Sequence, residues 1–198
     1  MRVSLPPWLP YAAGVRFAQT KRKWIENHRQ GVVPLSFAAG QRIGKAHRLV
    51  AASVDNARIS GNSVLIPLLP SLKNSDNITA ACERALRRQS RTLLSRRLNH
   101  LAQRHGYRYT QLRIKKMRSR WGSCSNDGHI SLSLYLIQLP WELIDYVLLH
   151  ELVHTRHHHH GPAFWSELER YYPAAKSAQR ALKNWPAAVV PQNETLMA

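Results

Sequence analysis

The chain has 198 residues, of which 44% are hydrophobic, so it can form one domain of ordinary size or a small domain with an appended subdomain. Its formal net charge is +18, but apolar residues occur along the whole sequence, which argues against global disorder. No apolar run is long enough to span a membrane, and prolines interrupt the N-terminus where a signal peptide would be apolar. We therefore expect a cytoplasmic protein without membrane contact. Its lone thiols, Cys82 and Cys124, lack the CxxC spacing of a structural zinc site.

The first half of the chain combines a short helix, short strands and one long helix. Apolar spacing predicts an amphipathic helix over 15–30, which Gly31 ends. Three runs with β character follow, HRLVAAS, ARI and SVLIPL, and the turn residues 60–62 predict a hairpin between the last two. Apolar residues then recur at steps of three and four over 77–105, which predicts a long helix that ends at Gly106.

The second half begins with a change of period from about 3.6 to 2. The segments 109–117 and 129–136 alternate apolar and polar residues, so each predicts a strand with one buried face, and the NDG turn at 126–128 lies between them. A helix is expected over 141–156, after Pro140, and another over 162–172, after Gly161. Pro173 starts or bends a third segment that runs to Trp185.

This order of elements predicts an α+β fold in which an antiparallel or mixed β-sheet packs on helices. We expect a β-rich N-terminal subdomain over 1–75, the main domain over 76–185 and a flexible tail over 186–198.

The segment HELVHTRHHHHGPAFW, which begins at His150, contains the pattern HExxH. His150 and His154 lie one helical turn apart on the same face, so both imidazoles can reach one metal ion. Glu151 lies about a hundred degrees around the helix, where it can contact a metal-bound water without binding the metal. A hydrolytic zinc site needs a third protein ligand and one open position, so another residue must complete the set.

His160 is the favoured third ligand because Gly161 and Pro162 break the helix where a side chain must turn back toward the ion. Its spacing from His154 equals that of the metzincin pattern HExxHxxGxxH, although the glycine of that pattern is His157 here. Two alternatives remain open: one of the residues 157–159, or Glu167 in a His-His-Glu site. Asp145 and Glu167 are also candidates to orient a ligand imidazole.

These ligands favour one Zn²⁺ per chain, although Fe, Co or Ni fits the same cage. Zinc lowers the pKa of a bound water toward about 7, and Glu151 can accept its proton as a general base. A peptide bond is the usual target of this chemistry.

Residues 118–165 resemble the YgjP-like family of zinc metallopeptidases, which is related to the SprT-like and WLM zincins. The similarity is carried by RSRWGSC, the GHISL strand, the PWELIDYV helix start, HExxH and the segment HGPAFW. It implies a zincin-like fold with an HExxH active-site helix, His150, His154 and His160 as zinc ligands, and Glu151 as catalytic base. It also implies a peptide or protein substrate.

The resemblance further implies a role for the sheet next to that helix. Trp121 and Gly122 would shape a turn before the strand 130–136, and a peptide could add to the edge of that strand. The chain differs from the family pattern at Ser133, where Asn is usual, and at Thr155, where Leu is common. The N-terminus also starts later than in other members, which suggests a truncated N-terminal sheet.

The charge of the chain is concentrated in one region: thirteen Lys or Arg residues and no acidic residue lie between Arg84 and Arg120. Most of those on the long helix lie off its apolar stripe, and Arg87, Arg88 and Arg91 are candidate contacts for nucleic acid. The alternative function is therefore a basic protein that associates with nucleic acid or acts on nucleotide phosphates. A simple solvated cationic surface explains the same pattern, and no nucleic-acid-binding motif accompanies it.

Overall fold

The computed structural model describes residues 38–68, 75–117 and 119–185, together with positions 10, 12, 15, 16 and 19. The chain divides into two compact units, Met1–Leu35 and Ser36–Ala198, and the elements below belong to the second. The helix expected over 15–30 lies outside the described residues except at three positions, and the tail 186–198 lies outside them entirely. The expected boundary near residue 75 stays a prediction.

The described elements are seven strands and four α-helices. In chain order they are β1 (Arg42–Ile43), β2 (His47–Ala52), β3 (Arg58–Ser60), β4 (Ser63–Pro67), α1 (Ser75–His105), β5 (Gln111–Lys115), β6 (Gly122–Cys124), β7 (His129–Ser133), α2 (Trp141–Val153), α3 (Pro162–Tyr171) and α4 (Ala175–Asn184).

The first sheet has the strand order β1-β2-β4-β3 and mixes both kinds of pairing. Strands β3 and β4 form the expected antiparallel hairpin, and Gly61 in its turn has a φ of 55°, which favours glycine. Strand β2 pairs with β4 in parallel, with Leu49 opposite Val64. Both of these side chains are fully buried, so this register directs one apolar face into the core.

The second sheet has the order β5-β7-β6, so β7 is the central strand. It pairs with β5 in parallel and with β6 antiparallel. The expectation that a peptide could add to the edge of the strand 130–136 is therefore wrong, because β5 and β6 occupy both sides of β7. β5 and β6 form the two edges of this sheet. Both sheets are mixed and the helices pack against them, which confirms an α+β fold.

Helix α1 covers 31 residues and connects the two sheets. Ile78, Leu86, Leu94 and Leu98 are fully buried along its apolar face. The helix contacts β1, β3 and β4 of the first sheet, β5 of the second, and helix α2. Gly106 ends it with a φ of 68°, as expected.

The alternating segment expected to be one strand over 129–136 is only half a strand. After Ser133 the chain forms a 3₁₀ helix, Leu134–Gln138, in which every residue is buried. The Ser133 hydroxyl donates to the Met117 carbonyl at 2.7 Å and accepts from the Tyr135 amide at 3.3 Å, so it caps this helix. Because every residue of this helix is buried, apolar residues do not recur at helical spacing. The alternation of apolar and polar residues therefore predicted a strand where the chain forms a helix.

Helix α2 is the centre of the second half, because it contacts α1, β6, α3 and α4. Nine of its thirteen residues are buried, and it ends at Val153 rather than at the expected Arg156. Pro162 occupies the first turn of α3, as the sequence predicts. Within the described residues, no helix combines the length and apolar character that a membrane-spanning segment requires.

Candidate metal centre

Three imidazoles converge where α2 ends and α3 begins. His150 lies in the last turn of α2, His154 is its C-cap, and His160 precedes the Gly161 that begins α3. The Nε2 atoms are 3.2 Å apart between His154 and His150, 3.1 Å between His154 and His160, and 3.0 Å between His160 and His150. The structure thus brings together the three histidines that the sequence analysis selected as metal ligands.

This triangle fits a zinc ion. Nitrogen ligands about 2.0–2.1 Å from a tetrahedral centre stand about 3.3 Å from one another, close to the observed separations. Three imidazoles also cannot all satisfy one another by hydrogen bonds, because a neutral ring has one donor and one acceptor nitrogen. Burial, and then the charges of His154 and His160, lower the pKa of His150 to about 3, so this ring stays neutral and keeps a lone pair for a metal.

Hydrogen bonds orient His154 from its far side. Its Nδ1 atom donates to the His157 carbonyl at 2.9 Å, which leaves the lone pair on Nε2, toward the centre of the triangle. The His157 ring is held in turn by Glu167, whose Oε2 lies 2.5 Å from His157 Nε2. Tyr107 and Arg156 donate to the other oxygen of Glu167 at 2.6 and 2.8 Å.

Glu167 is thus outside the imidazole triangle, and it holds the loop whose carbonyl accepts from His154. Its burial favours the neutral acid, but the hydrogen bonds from Tyr107, His157 and Arg156 hold its pKa below the ordinary value. The carboxylate therefore stays charged and keeps the 157–160 loop attached to the body of the protein.

We expect Glu167→Ala to weaken zinc binding by about tenfold to a hundredfold, the range usual for residues that orient a ligand. The change removes the support of the loop that carries the acceptor for His154. Zinc affinity, measured by competition with a chelating dye, checks this. Glu169→Ala is the matched control, because Glu169 pairs with Lys176 at 3.2 Å and not with the loop. An unchanged affinity in Glu167→Ala would contradict the prediction, and a complete loss of zinc would instead make Glu167 a ligand.

Glu151 directly follows His150 in α2, and its side chain is almost dry, with only 5% of its surface exposed. Its carboxylate lies over Gly122 of β6, since a Cβ atom at residue 122 would stand 2.5 Å from Oε1 of Glu151. The Oε2 atom is buried and has no hydrogen-bond partner in the described part of the chain. A buried carboxylate oxygen without a protein partner is available to a water or an ion.

Burial raises the pKa of Glu151 to about 8, and the charge of Arg120 opposes the shift. The protonated carboxyl is therefore favoured in the metal-free fold. A nearby divalent cation lowers the pKa of a carboxyl, so a metal bound by the three histidines would lower the pKa of Glu151 again.

We expect the thermal stability of the metal-free protein to depend on Glu151 above pH 6.5. The pKa of Glu151 is higher in the folded than in the unfolded protein, so its contribution to stability falls as the pH rises toward 8. The pKa of His150 is lowered instead, and this shift changes the stability only below the ordinary pKa of 6.5. Between pH 6.5 and 8 the Tm of the wild type should fall relative to that of Glu151→Gln by on the order of 5 °C. Calorimetry of both apo proteins checks this, with the exposed Glu142→Gln as control. Parallel Tm curves would contradict it.

Phe164 supports all three imidazoles, a role that sequence reasoning missed. It is fully buried, and its ring centroid lies 4.9 Å from that of His150, 4.6 Å from His154 and 4.7 Å from His160. The sequence carried a signal for it, because Phe164 follows His160 by one helical turn. The Tyr146 ring, one turn before His150, packs against His150 at 5.8 Å.

The remaining candidates lie elsewhere. His158 and His159 are exposed and outside the triangle, and the His157 ring points to Glu167. Asp145 forms a bidentate ion pair with Arg97 of α1 at 2.7 and 2.5 Å, so it orients no imidazole.

Of the three arginines selected as nucleic-acid contacts, Arg87 donates to the Ile114 carbonyl at 3.3 Å, while Arg88 and Arg91 are exposed. A role for them in nucleic-acid binding stays a prediction.

Comparison with known proteins places these observations in context. Among the solved structures similar to this chain are two that are described as metallopeptidase zymogens. Abylysin of Pyrococcus abyssi is 27% identical, with 50% of this chain and 100% of that chain covered and a TM-score of 0.43. Jannalysin of Methanocaldococcus jannaschii is 23% identical, with coverages of 46% and 93% and a TM-score of 0.41. No curated protein matches the sequence.

The decisive match is to a family, described as YgjP-like, metallopeptidase domain, and it covers residues 1–185. This match confirms the resemblance found in the sequence. It supports a hydrolase that acts on peptides or proteins. It gives no support to nucleic-acid binding. Because the match covers nearly the whole chain, the protein belongs to the YgjP-like metallopeptidase family.

Proposed function

We propose that this chain is a zincin-like, zinc-dependent peptidase in which His150, His154 and His160 hold one Zn²⁺ and Glu151 is the general base. The observation that supports this most directly is the triangle of Nε2 atoms, each pair 3.0 to 3.2 Å apart, next to a buried carboxylate. Asp145 and Glu167, the other acidic residues considered for the site, are engaged by Arg97 and by the His157 loop. The three histidines are therefore the best ligand set.

The bound zinc would supply Lewis acidity, which lowers the pKa of water and polarises a carbonyl. Glu151 would accept a proton from the attacking water and pass it to the nitrogen of the leaving amine. The nearly dry position of the carboxyl favours this second step, because bulk water cannot take the proton before the amine does. Gly122 leaves room for this carboxylate, which any side chain at that position would displace.

Strand β6 offers a place for the substrate backbone. Its pairing with β7 uses the backbone of the odd-numbered residues, since Ser133 donates to the Trp121 carbonyl and Ser125 donates to the His129 carbonyl. The N–H and C=O groups of Gly122 and Cys124 therefore point to the outer edge. A peptide that adds as a further strand there would lie next to Glu151, which packs on Gly122.

Metal removal and restoration test this function. The protein as purified should contain about one zinc per chain and cleave an unfolded protein such as casein. A strong chelator should abolish cleavage, and stoichiometric Zn²⁺ should restore it. Elemental analysis and peptide release are measured on the same sample, with a non-chelating buffer as control. Full cleavage by metal-free protein, or loaded protein without any cleavage of peptides, would refute the proposal.

A further inference from the structure

Helix α4 forms one wall of a groove beside the metal centre. Two cavities, of about 620 and 570 Å³, adjoin along this helix because Gln179 and Arg180 line both. We call the pair the α4 groove. Each cavity falls within the size range of sites that bind small ligands or side chains, about 300–1,000 Å³.

The groove runs past both sides of the centre. At one end Trp121 lines it, directly before the Gly122 on which Glu151 rests. At the other end Trp165 lines it, with its ring centroid 6.2 Å from that of His160. Glu151 and the three histidines do not themselves line the described walls of the groove. Its two ends reach Trp121 and Trp165, so a chain bound along α4 would pass close to the centre.

The groove carries an excess of positive charge. Arg120, Arg180 and Lys183 line the larger cavity, and none of its described lining residues is acidic. Glu169 lines the smaller cavity, but Lys176 pairs with it at 3.2 Å. Arg180 and Lys183 are exposed and form no ion pair within the described ranges 38–68, 75–117 and 119–185.

Apolar surface lies next to these cations. Met117, Trp121, Leu182 and Trp185 share the larger cavity with them. Indole faces and aliphatic side chains beside guanidinium and ammonium groups suit a peptide in which carboxylates alternate with apolar side chains, because charge and apolar contact are then satisfied together.

We propose that the α4 groove binds the carboxylates of an acidic peptide substrate, with Arg180 and Lys183 as specificity-determining residues. This inference rests on the proposed peptidase function, and it adds the substrate class: peptides with acidic residues, or with a terminal carboxylate, beside the bond to be cleaved.

A binding experiment tests the groove without relying on turnover. Zinc-loaded Glu151→Gln protein is titrated against two peptides that carry a neutral fluorophore and differ only in Asp and Glu against Asn and Gln. Salt is held at about 150 mM, so that charges more than about 8 Å apart are largely screened. Fluorescence anisotropy should give about tenfold tighter binding of the acidic peptide.

Arg180→Glu in the same background should remove this preference, and Lys183→Glu should reduce it. Arg84→Glu is the matched control, because it changes the net charge equally at an exposed position of α1 that does not line the groove. Each peptide is made with a free and with an amidated C-terminus. The difference between the acidic and the amide peptide then measures the side-chain carboxylates, and the loss of affinity on amidation measures the terminal one.

Equal affinities for the acidic and the amide peptide, unchanged by amidation of the C-terminus, would overturn the inference. So would a preference that Arg84→Glu reduces as much as Arg180→Glu does, because the attraction would then be a property of the net charge. The proposed function fails on a different result, a zinc-loaded wild type that cleaves no peptide of either kind.

Discussion

Glu151→Gln should lower the kcat for peptide cleavage by about 10³-fold while the protein keeps about one zinc per chain. General-base catalysis contributes about 10²- to 10⁴-fold, and a glutamine cannot take a proton from water. The side chains have nearly the same shape, so the packing on Gly122 and the imidazole triangle should not change. KM should change little, because the lost interaction is made only in the transition state.

Zinc content and kinetics, measured on the same preparation, decide whether Glu151 acts as a base. Glu142→Gln is the control, since it makes the same chemical change in the first turn of the same helix, at an exposed position. Loss of the zinc together with activity would mean that Glu151 is a ligand rather than a base. Retained activity would remove it from the mechanism.

His160→Ala should abolish stoichiometric zinc binding. The imidazole closes the triangle from the α3 side, and its removal leaves two protein ligands where a catalytic zinc site has three. The loss of affinity should exceed the tenfold to hundredfold effect usual for residues that only orient a ligand. Zinc titration followed by competition with a chelating dye measures the change.

The histidine run supplies its own controls. His158→Ala and His159→Ala alter exposed neighbours in the same loop and should leave the zinc affinity unchanged. A loss of zinc in either control that equals the loss in His160→Ala would show that the run binds metal collectively rather than through one position.

The sequence predicts those parts of the fold in which apolar residues recur with one regular spacing over a long segment. Helix α1 has 31 residues, with Leu86, Leu94 and Leu98 on one face, and such a stripe is unambiguous. The parallel pairing of β2 with β4 has no such local signature, because it depends on contacts between segments distant in the chain. The three-residue strand β6 is too short to show alternation, and the expected turn at Gly122 is in fact part of it.

The candidate site also has parts that local spacing predicts and parts that depend on packing between distant segments. The spacing of His150 and His154 fixes their shared face, and the chain break at Gly161 points to His160. The place of Gly122 beneath Glu151 follows from the packing of β6 against α2, which no local pattern encodes. The sequence could not decide between two roles for Glu167, a metal ligand or a support for the 157–160 loop. A glutamate suits both roles, and only its distance from the imidazoles decides between them.

The shortness of β6 sets a limit on how this protein can select what it cuts. Three residues of strand leave only Gly122 and Cys124 to bond with an incoming backbone. Each such bond contributes only about 0.5–1.5 kcal/mol net, and backbone bonding does not distinguish one peptide from another. Extended segments of unrelated proteins would bind this strand edge with similar, low affinity. Selection between substrates must therefore come from contacts of their side chains outside β6.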